Sequence, residues 1–159
     1  MSTKVLFVCL GNICRSPTAH GVFEKLVADA GLQNDIYIDS AGTGDWHIGR
    51  APDERTQHAA SKRGYDLSNL RARQVSSADF SEFDYVLAMD KNNLKDLRGM
   101  AGDKSDCHVS LFLDFAESSW KREVPDPYYG GEDGFETVLD LVEDGARGLL
   151  ATIRSASVK

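Results

Sequence analysis

Val5-Leu6-Phe7-Val8-Cys9-Leu10-Gly11-Asn12-Ile13-Cys14-Arg15-Ser16-Pro17 decides the reading of the chain, because it changes character twice within a few residues. Val5 to Cys9 is an unbroken apolar run, the pattern of a strand buried on both faces of a parallel sheet. Leu10 to Arg15 holds a glycine and an asparagine and reads as a tight loop. Ser16 and Pro17 then supply a helix N-cap and a first-turn proline. Val22, Phe23, Leu26, Val27 and Ala30 form one apolar helical face, which Gly31 ends.

The same alternation continues outward. Ile36 to Ser40 predicts a second strand, and Gly42, Gly44, Gly49 and Pro52 mark a long loop around Trp46. A helix is expected from about Asp53 to Arg63, with Gly64 after it. Phe83 to Met89 predicts a third strand, Asn92 to Arg98 a short helix, and Cys107 to Leu111 a fourth strand. The last helix is the clearest: Phe135, Val138, Leu139, Val142, Ala146, Leu149, Leu150 and Ile153 mostly recur three or four residues apart, with Gly145 and Gly148 weakening it. Alternating strands and helices argue for a parallel sheet covered on both faces, with ligands beyond the carboxyl ends of the strands. The first such end is Cys9.

With 159 residues, 42% hydrophobic and 27% charged, the chain fits one globular domain over residues 1–159. Lys and Arg total 18 against 25 Asp and Glu, a net charge of −7, the wrong sign for a nucleic-acid or anionic-membrane binder. An anion site must therefore be local. The opening apolar run is too short for a signal-peptide core or a membrane span, so a cytoplasmic location is expected. Three cysteines are an odd count for a disulfide framework and suit a reducing compartment.

Cys9 and Arg15 carry the chemistry of the opening motif. A short loop curling into a helix N-terminus points successive N–H groups inward, and such a nest binds an oxyanion. Asn12 is among the few side chains that tolerate a left-handed backbone. Arg15 offers a planar fork for two phosphate oxygens, which lysine lacks. The same groups would favour a thiolate at Cys9, whose ordinary pKa is ~8.5, and make it a nucleophile. The Ser16 hydroxyl could also donate to that sulfur. Cys14 stands at the opposite shoulder of the loop, where oxidation could join it to Cys9 in a reversible, protective disulfide. Cys107 reads as core. Zinc at Cys9, Cys14 and His20 is disfavoured, because the spacing lacks paired ligands and the arginine would repel a cation.

Val8 to Pro17 closely resembles the signature of the low-molecular-weight protein tyrosine phosphatases. The likeness continues through Asp39-Ser40-Ala41-Gly42-Thr43, Trp46 with Gly49, Ala72-Arg73-Gln74-Val75, Phe83 to Asp90, and Asp126-Pro127-Tyr128-Tyr129-Gly130. The resemblance implies a single phosphatase domain of α/β class, with a four-stranded parallel sheet between helices in a Rossmann-like, flavodoxin-like three-layer sandwich. It implies Cys9 as nucleophile, Arg15 as phosphate clamp, Asp126 as general acid and base, and Ser16 as the group that steadies the sulfur. Leu10, Gly11, Asn12, Ile13, Cys14 and Arg15 would line the phosphate, with Asn12 and Ser40 supporting that loop. Leu10, Ile13, Trp46, Tyr128 and Tyr129 would wall the crevice for an aryl ring. Many relatives carry a histidine two residues before the Ala-Arg-Gln segment, whereas this chain has Leu70, which cannot hydrogen-bond.

On that likeness the expected substrate is a tyrosine-phosphorylated protein, with inorganic phosphate or vanadate as inhibitor. No metal or organic cofactor is expected, and the protein is expected to be a monomer. Three rivals stand beside this reading. Thioredoxin-linked arsenate reductases resemble the same loop but use a further cysteine pair, absent from Met89 to Asp106. Protein-arginine phosphatases typically carry threonine where this chain has Ile13. A phosphate-binding interaction module without turnover would keep the loop and lose the acid.

Overall fold

The computed structural model of the chain describes residues 2–102, 106–127 and 131–157. In chain order the elements are β1 (Thr3–Cys9), α1 (Arg15–Asp29), β2 (Ile36–Gly42), α2 (Glu54–Lys62), α3 (Asp79–Glu82), β3 (Tyr85–Ala88), α4 (Lys91–Ala101), β4 (His108–Leu111) and α5 (Glu132–Ser157). A 3-10 turn, Phe112–Phe115, follows β4 directly. All strand pairs are parallel and the sheet order is β2-β1-β3-β4.

β1 is flanked by strands on both sides, and its side chains alternate between two cores. Val5, Phe7 and Cys9 join α1, α2 and α5 in one apolar cluster, whereas Leu6 and Val8 meet Val86, Ala88, Leu97 and Phe80 in the other. This two-sided burial is why the strand carries no polar residue between Val5 and Cys9. The Phe7 ring meets Phe23 and Phe112 edge-on, at centroid distances of 5.7 and 5.1 Å. Burial of a side chain this size contributes about 2–3 kcal/mol.

Helix ends follow local chemistry. Gly31 adopts φ +75°, and the pairs Gly31 N–H to Ala28 and Leu32 N–H to Val27 close a Schellman motif; Gly64 ends α2 the same way. Asp53 caps α2 by accepting the Arg55 N–H at 2.8 Å. The N-cap expected at Ser16 is corrected. α1 begins at Arg15, its N-cap position is Cys14 without a side-chain cap bond, and Ser16 lies inside the first turn. Its hydroxyl faces the Cys9 sulfur instead of the helix amides.

Gly145 and Gly148 weaken α5 for a reason the periodicity hides. A Cβ at Gly148 would lie 1.6 Å from the Phe115 carbonyl oxygen, and one at Gly145 would lie 2.8 Å from the Phe112 ring. The two glycines cut a slot in the helix face for the turn after β4. The third strand starts at Tyr85 and not Phe83, because Phe83 terminates the one-turn helix α3. Among the described residues, no helix is long and apolar enough to cross a membrane.

Candidate active site

The sheet holds Cys9 at its carboxyl edge. The Val8 carbonyl accepts the Met89 N–H at 3.1 Å and the Cys9 carbonyl accepts the Thr43 N–H at 2.9 Å, so both neighbouring segments brace the strand tip. From there the chain curls back over the sulfur, and Asn12 takes the left-handed conformation at φ +57°. That turn aims the Asn12 N–H at Cys9 Sγ, 3.3 Å away. Ser16 Oγ lies 3.1 Å from the same sulfur. Asn12 Nδ2 donates to Ser16 Oγ at 2.8 Å, and Asn12 Oδ1 accepts the Arg73 N–H at 3.0 Å. With its oxygen already accepting, Ser16 has one proton to give, to the Cys9 sulfur or to the Ala41 carbonyl at 3.3 Å. A thiolate draws it.

Arg15 is buried beside this cup. Its Nη1 donates to Asp90 Oδ2 at 2.6 Å and to the Val124 carbonyl at 3.0 Å, while Nη2 lies 3.7 Å from Asp126 Oδ2. Burial works against its charge, but the Cys9 sulfur, Asp90 and Asp126 outweigh burial and raise its pKa above the ordinary value. Asp90 serves twice, because its other oxygen caps α4 by accepting the Asn93 N–H at 2.7 Å. Arg73, whose main chain holds Asn12, is itself fixed by Asp39 at 3.0 Å and by both oxygens of Asp79 at 3.1 Å. The loop is thus tied before any ligand arrives.

A cavity of about 400 Å³ opens above the sulfur, lined by Cys9, Leu10, Gly11, Ile13, Cys14, Arg15, Trp46, His47 and Asp126. Most of the residues singled out in the sequence therefore meet in one place. Leu10 and Trp46 stand exposed at the rim, with the indole lying over Gly44. Cys14 is a buried free thiol, pushed by burial up to about 12, and Cys9 is free as well. Cys107 is buried and belongs to the core beneath α4. Tyr128 and Tyr129 lie outside the described residues. Ser40 is buried with its hydroxyl 3.0 Å from His20 Nδ1, one residue before the carbonyl that faces Ser16. Leu70 packs against the core, and the outer tie of the loop comes from the Arg73 main chain.

Four participants carry no role in the sequence reading. His47 packs on Gly11, where an added Cβ would fall 2.9 Å from the imidazole. The Val124 carbonyl and the Arg73 N–H are main-chain groups with no side-chain signature. Asp90 could have been found, since an acid at the carboxyl end of the third parallel strand, followed by Lys91-Asn92-Asn93, marks both a helix cap and the ligand side of such a sheet.

A loop N–H and a serine hydroxyl turned to one sulfur at a helix N-terminus, with a buried guanidinium beside them, define a cysteine site on a three-layer, flavodoxin-like α/β sandwich. The family model described as low molecular weight phosphotyrosine protein phosphatase matches residues 4–159, and the chain belongs to that family. The chain is 49% identical over 151 residues to a low molecular weight protein-tyrosine-phosphatase of Bacillus subtilis, covering 95% of this chain and 96% of that protein. A crystal structure of a protein tyrosine phosphatase from Entamoeba histolytica superposes with a TM-score of 0.94 at 40% identity, over 98% of this chain and 99% of that one. A Drosophila arginine phosphatase superposes with a TM-score of 0.88 at 34% identity, over 95% and 98% of the two chains. The protein is accordingly an enzyme of the protein-tyrosine-phosphatase class.

Proposed function

We propose that the chain hydrolyses phosphotyrosine in proteins, and aryl phosphates generally, through a cysteinyl-phosphate. The observation that carries this reading is the pair of donors, the Asn12 N–H and the Ser16 hydroxyl, converging on Cys9 Sγ in a cavity that Arg15 and Asp126 also line. The phosphate dianion docks on the N–H groups of the loop, and Arg15 clamps two of its oxygens. The Cys9 thiolate attacks phosphorus in line and the bond to the aryl oxygen breaks. Asp126 transfers its proton to the departing oxygen, a step that typically contributes ~10²–10⁴-fold. Asp126, now a carboxylate, takes a proton from water, whose oxygen attacks phosphorus. The S–P bond breaks, orthophosphate leaves, and Ser16 steadies the returning thiolate. No cofactor enters the cycle.

The whole chain acts as one cytoplasmic, monomeric domain whose partner is a tyrosine-phosphorylated protein. Its three buried thiols fit a reducing compartment. An apolar Ile13 at the crevice suits an aryl ring, whereas the Drosophila relative's name favours phosphoarginine as a second reading. The deciding experiment follows product release on mixing enzyme with 4-nitrophenyl phosphate. A stoichiometric burst, vanadate inhibition and full activity in a metal chelator are expected. Turnover of Cys9→Ser at the wild-type rate would reject the nucleophile. Faster hydrolysis of phosphoarginine than of phosphotyrosine would install the second reading.

A further inference from the structure

Asp144 is buried in the middle of α5 and lines no part of the site described above. Its carboxylate accepts three successive main-chain N–H groups: Glu117 at 3.2 Å, Ser118 at 3.1 and 3.2 Å, and Ser119 at 2.7 Å. Successive N–H groups turned to one point form an anion nest, and here the anion is the protein's own side chain. Arg147 lies 3.8 Å away on the next turn and offers the carboxylate a weaker partner. Gly145 and Gly148, just after Asp144 on the helix, admit the Phe112 ring and the Phe115 main chain of the segment that leads into the nest. The helix face is therefore shaped to seize residues 112–119.

That seized segment begins the strap that ends at Asp126. Residues 116–127 have no helix or strand to hold them. The far end of the strap is pinned where the Val124 N–H meets the Met89 carbonyl at 2.8 Å, the Val124 carbonyl meets Arg15, and Glu123 accepts the Lys91 N–H at 2.8 Å. Between the two anchors, Trp120, Lys121 and Arg122 are exposed. We infer that Asp144 is a positioning residue for Asp126: by gathering the near end of the strap it limits the conformations open to the far end, and so keeps the acid above the sulfur. Freed of the nest, the strap would gain backbone entropy and the Val124 anchors would have to hold it alone.

This inference rests on Asp126 being the general acid, so the experiment separates the two. The ratio of kcat/KM for 2,4-dinitrophenyl phosphate to that for phenyl phosphate reads the need for a leaving-group proton. In Asp126→Ala that ratio should rise about a hundredfold or more. In Asp144→Asn, whose amide group presents donors to donors, it should rise about tenfold, since the acid is present but misplaced. Tryptic cleavage after Lys121 and Arg122 should quicken in the same variant, while phosphate still protects Cys9 from alkylation. If Asp126→Ala leaves the ratio at the wild-type value, the acid assignment falls and this inference falls with it. If Asp126→Ala raises the ratio but Asp144→Asn does not, or slows both substrates equally, the positioning role alone is overturned. Should Asp144→Asn fail to fold, Glu123→Ala, which removes the acceptor of the Lys91 N–H at the exposed far anchor, carries the same test, and an unchanged ratio there overturns the strap.

Discussion

Arg15 Nη1 lies 2.6 Å from Asp90 Oδ2, so one ion pair joins the turn after β1 to the N-terminus of α4. The carboxylate fixes the rotamer of the guanidinium and leaves Nη2 facing Asp126. Because asparagine caps helices as well as aspartate, Asp90→Asn removes the charge while keeping α4. Catalytic efficiency on an aryl phosphate should fall about 10- to 100-fold. Steady-state kinetics checks this, and wild-type efficiency would strip the pair of any role in catalysis.

Asn12 bears two demands at once, a left-handed backbone and two side-chain hydrogen bonds. Asn12→Ala loses both bonds, worth about 1 kcal/mol each net, and adds about 1–2 kcal/mol of left-handed strain. Asn12→Gly loses the bonds without that strain. Urea unfolding should rank wild type above the glycine variant and the glycine variant above alanine; the reverse order of the two variants would show that conformation is not what selects asparagine.

Burial raises the Cys14 thiol from 9.0 to about 12 and the Cys107 thiol to about 11. A group whose folded pKa is raised adds stability that is complete below its unfolded value and lost as pH climbs to the folded one. Between those limits the unfolded chain has released a proton that the folded chain still holds. Unfolding free energy should therefore decline above pH 9 by about 1.4 kcal/mol per pH unit for each thiol. Cys14→Ala should flatten that decline, and equal slopes for variant and wild type would contradict the burial of the thiol.

Two helical glycines should respond oppositely to the same substitution. Nothing lies within 4 Å of the position a Cβ would take at Gly99 in α4, so Gly99→Ala should stabilise by about 0.5–1 kcal/mol. Gly148→Ala drives a methyl into the Phe115 carbonyl and should cost more than about 3 kcal/mol. Thermal denaturation of both variants decides the matter.

The strand, loop and helix around Cys9 were legible because each is encoded locally, by an apolar run, a glycine with asparagine, and a periodic face. Asp126 was a different case. Its neighbours describe only a proline turn, and the likeness to a known family singled it out. The Arg15–Asp90 pair spans 75 positions, and no pattern within a window reports such a contact. Arg73 holds the loop through its main chain, which every residue type possesses, so its role could not be read from its identity. The cap reading of Ser16 failed while its expected contact with the sulfur is present, because cap preference and sulfur contact favour the same residue type. The slot at Gly148 was invisible for a similar reason: glycine in a helix looks like weakness until the atom occupying its missing side chain is seen.

The bracing of β1 on both sides has a consequence for how the molecule breathes. Amide protons from Phe7 to Cys9 sit at the centre of the sheet and should exchange with deuterium only when the entire chain opens. Those of residues 120–122 hang between two clasps and should exchange through small local excursions. The sulfur thus sits in the most persistent part of the molecule, and the carboxyl two residues past the clasp that ends its most yielding span.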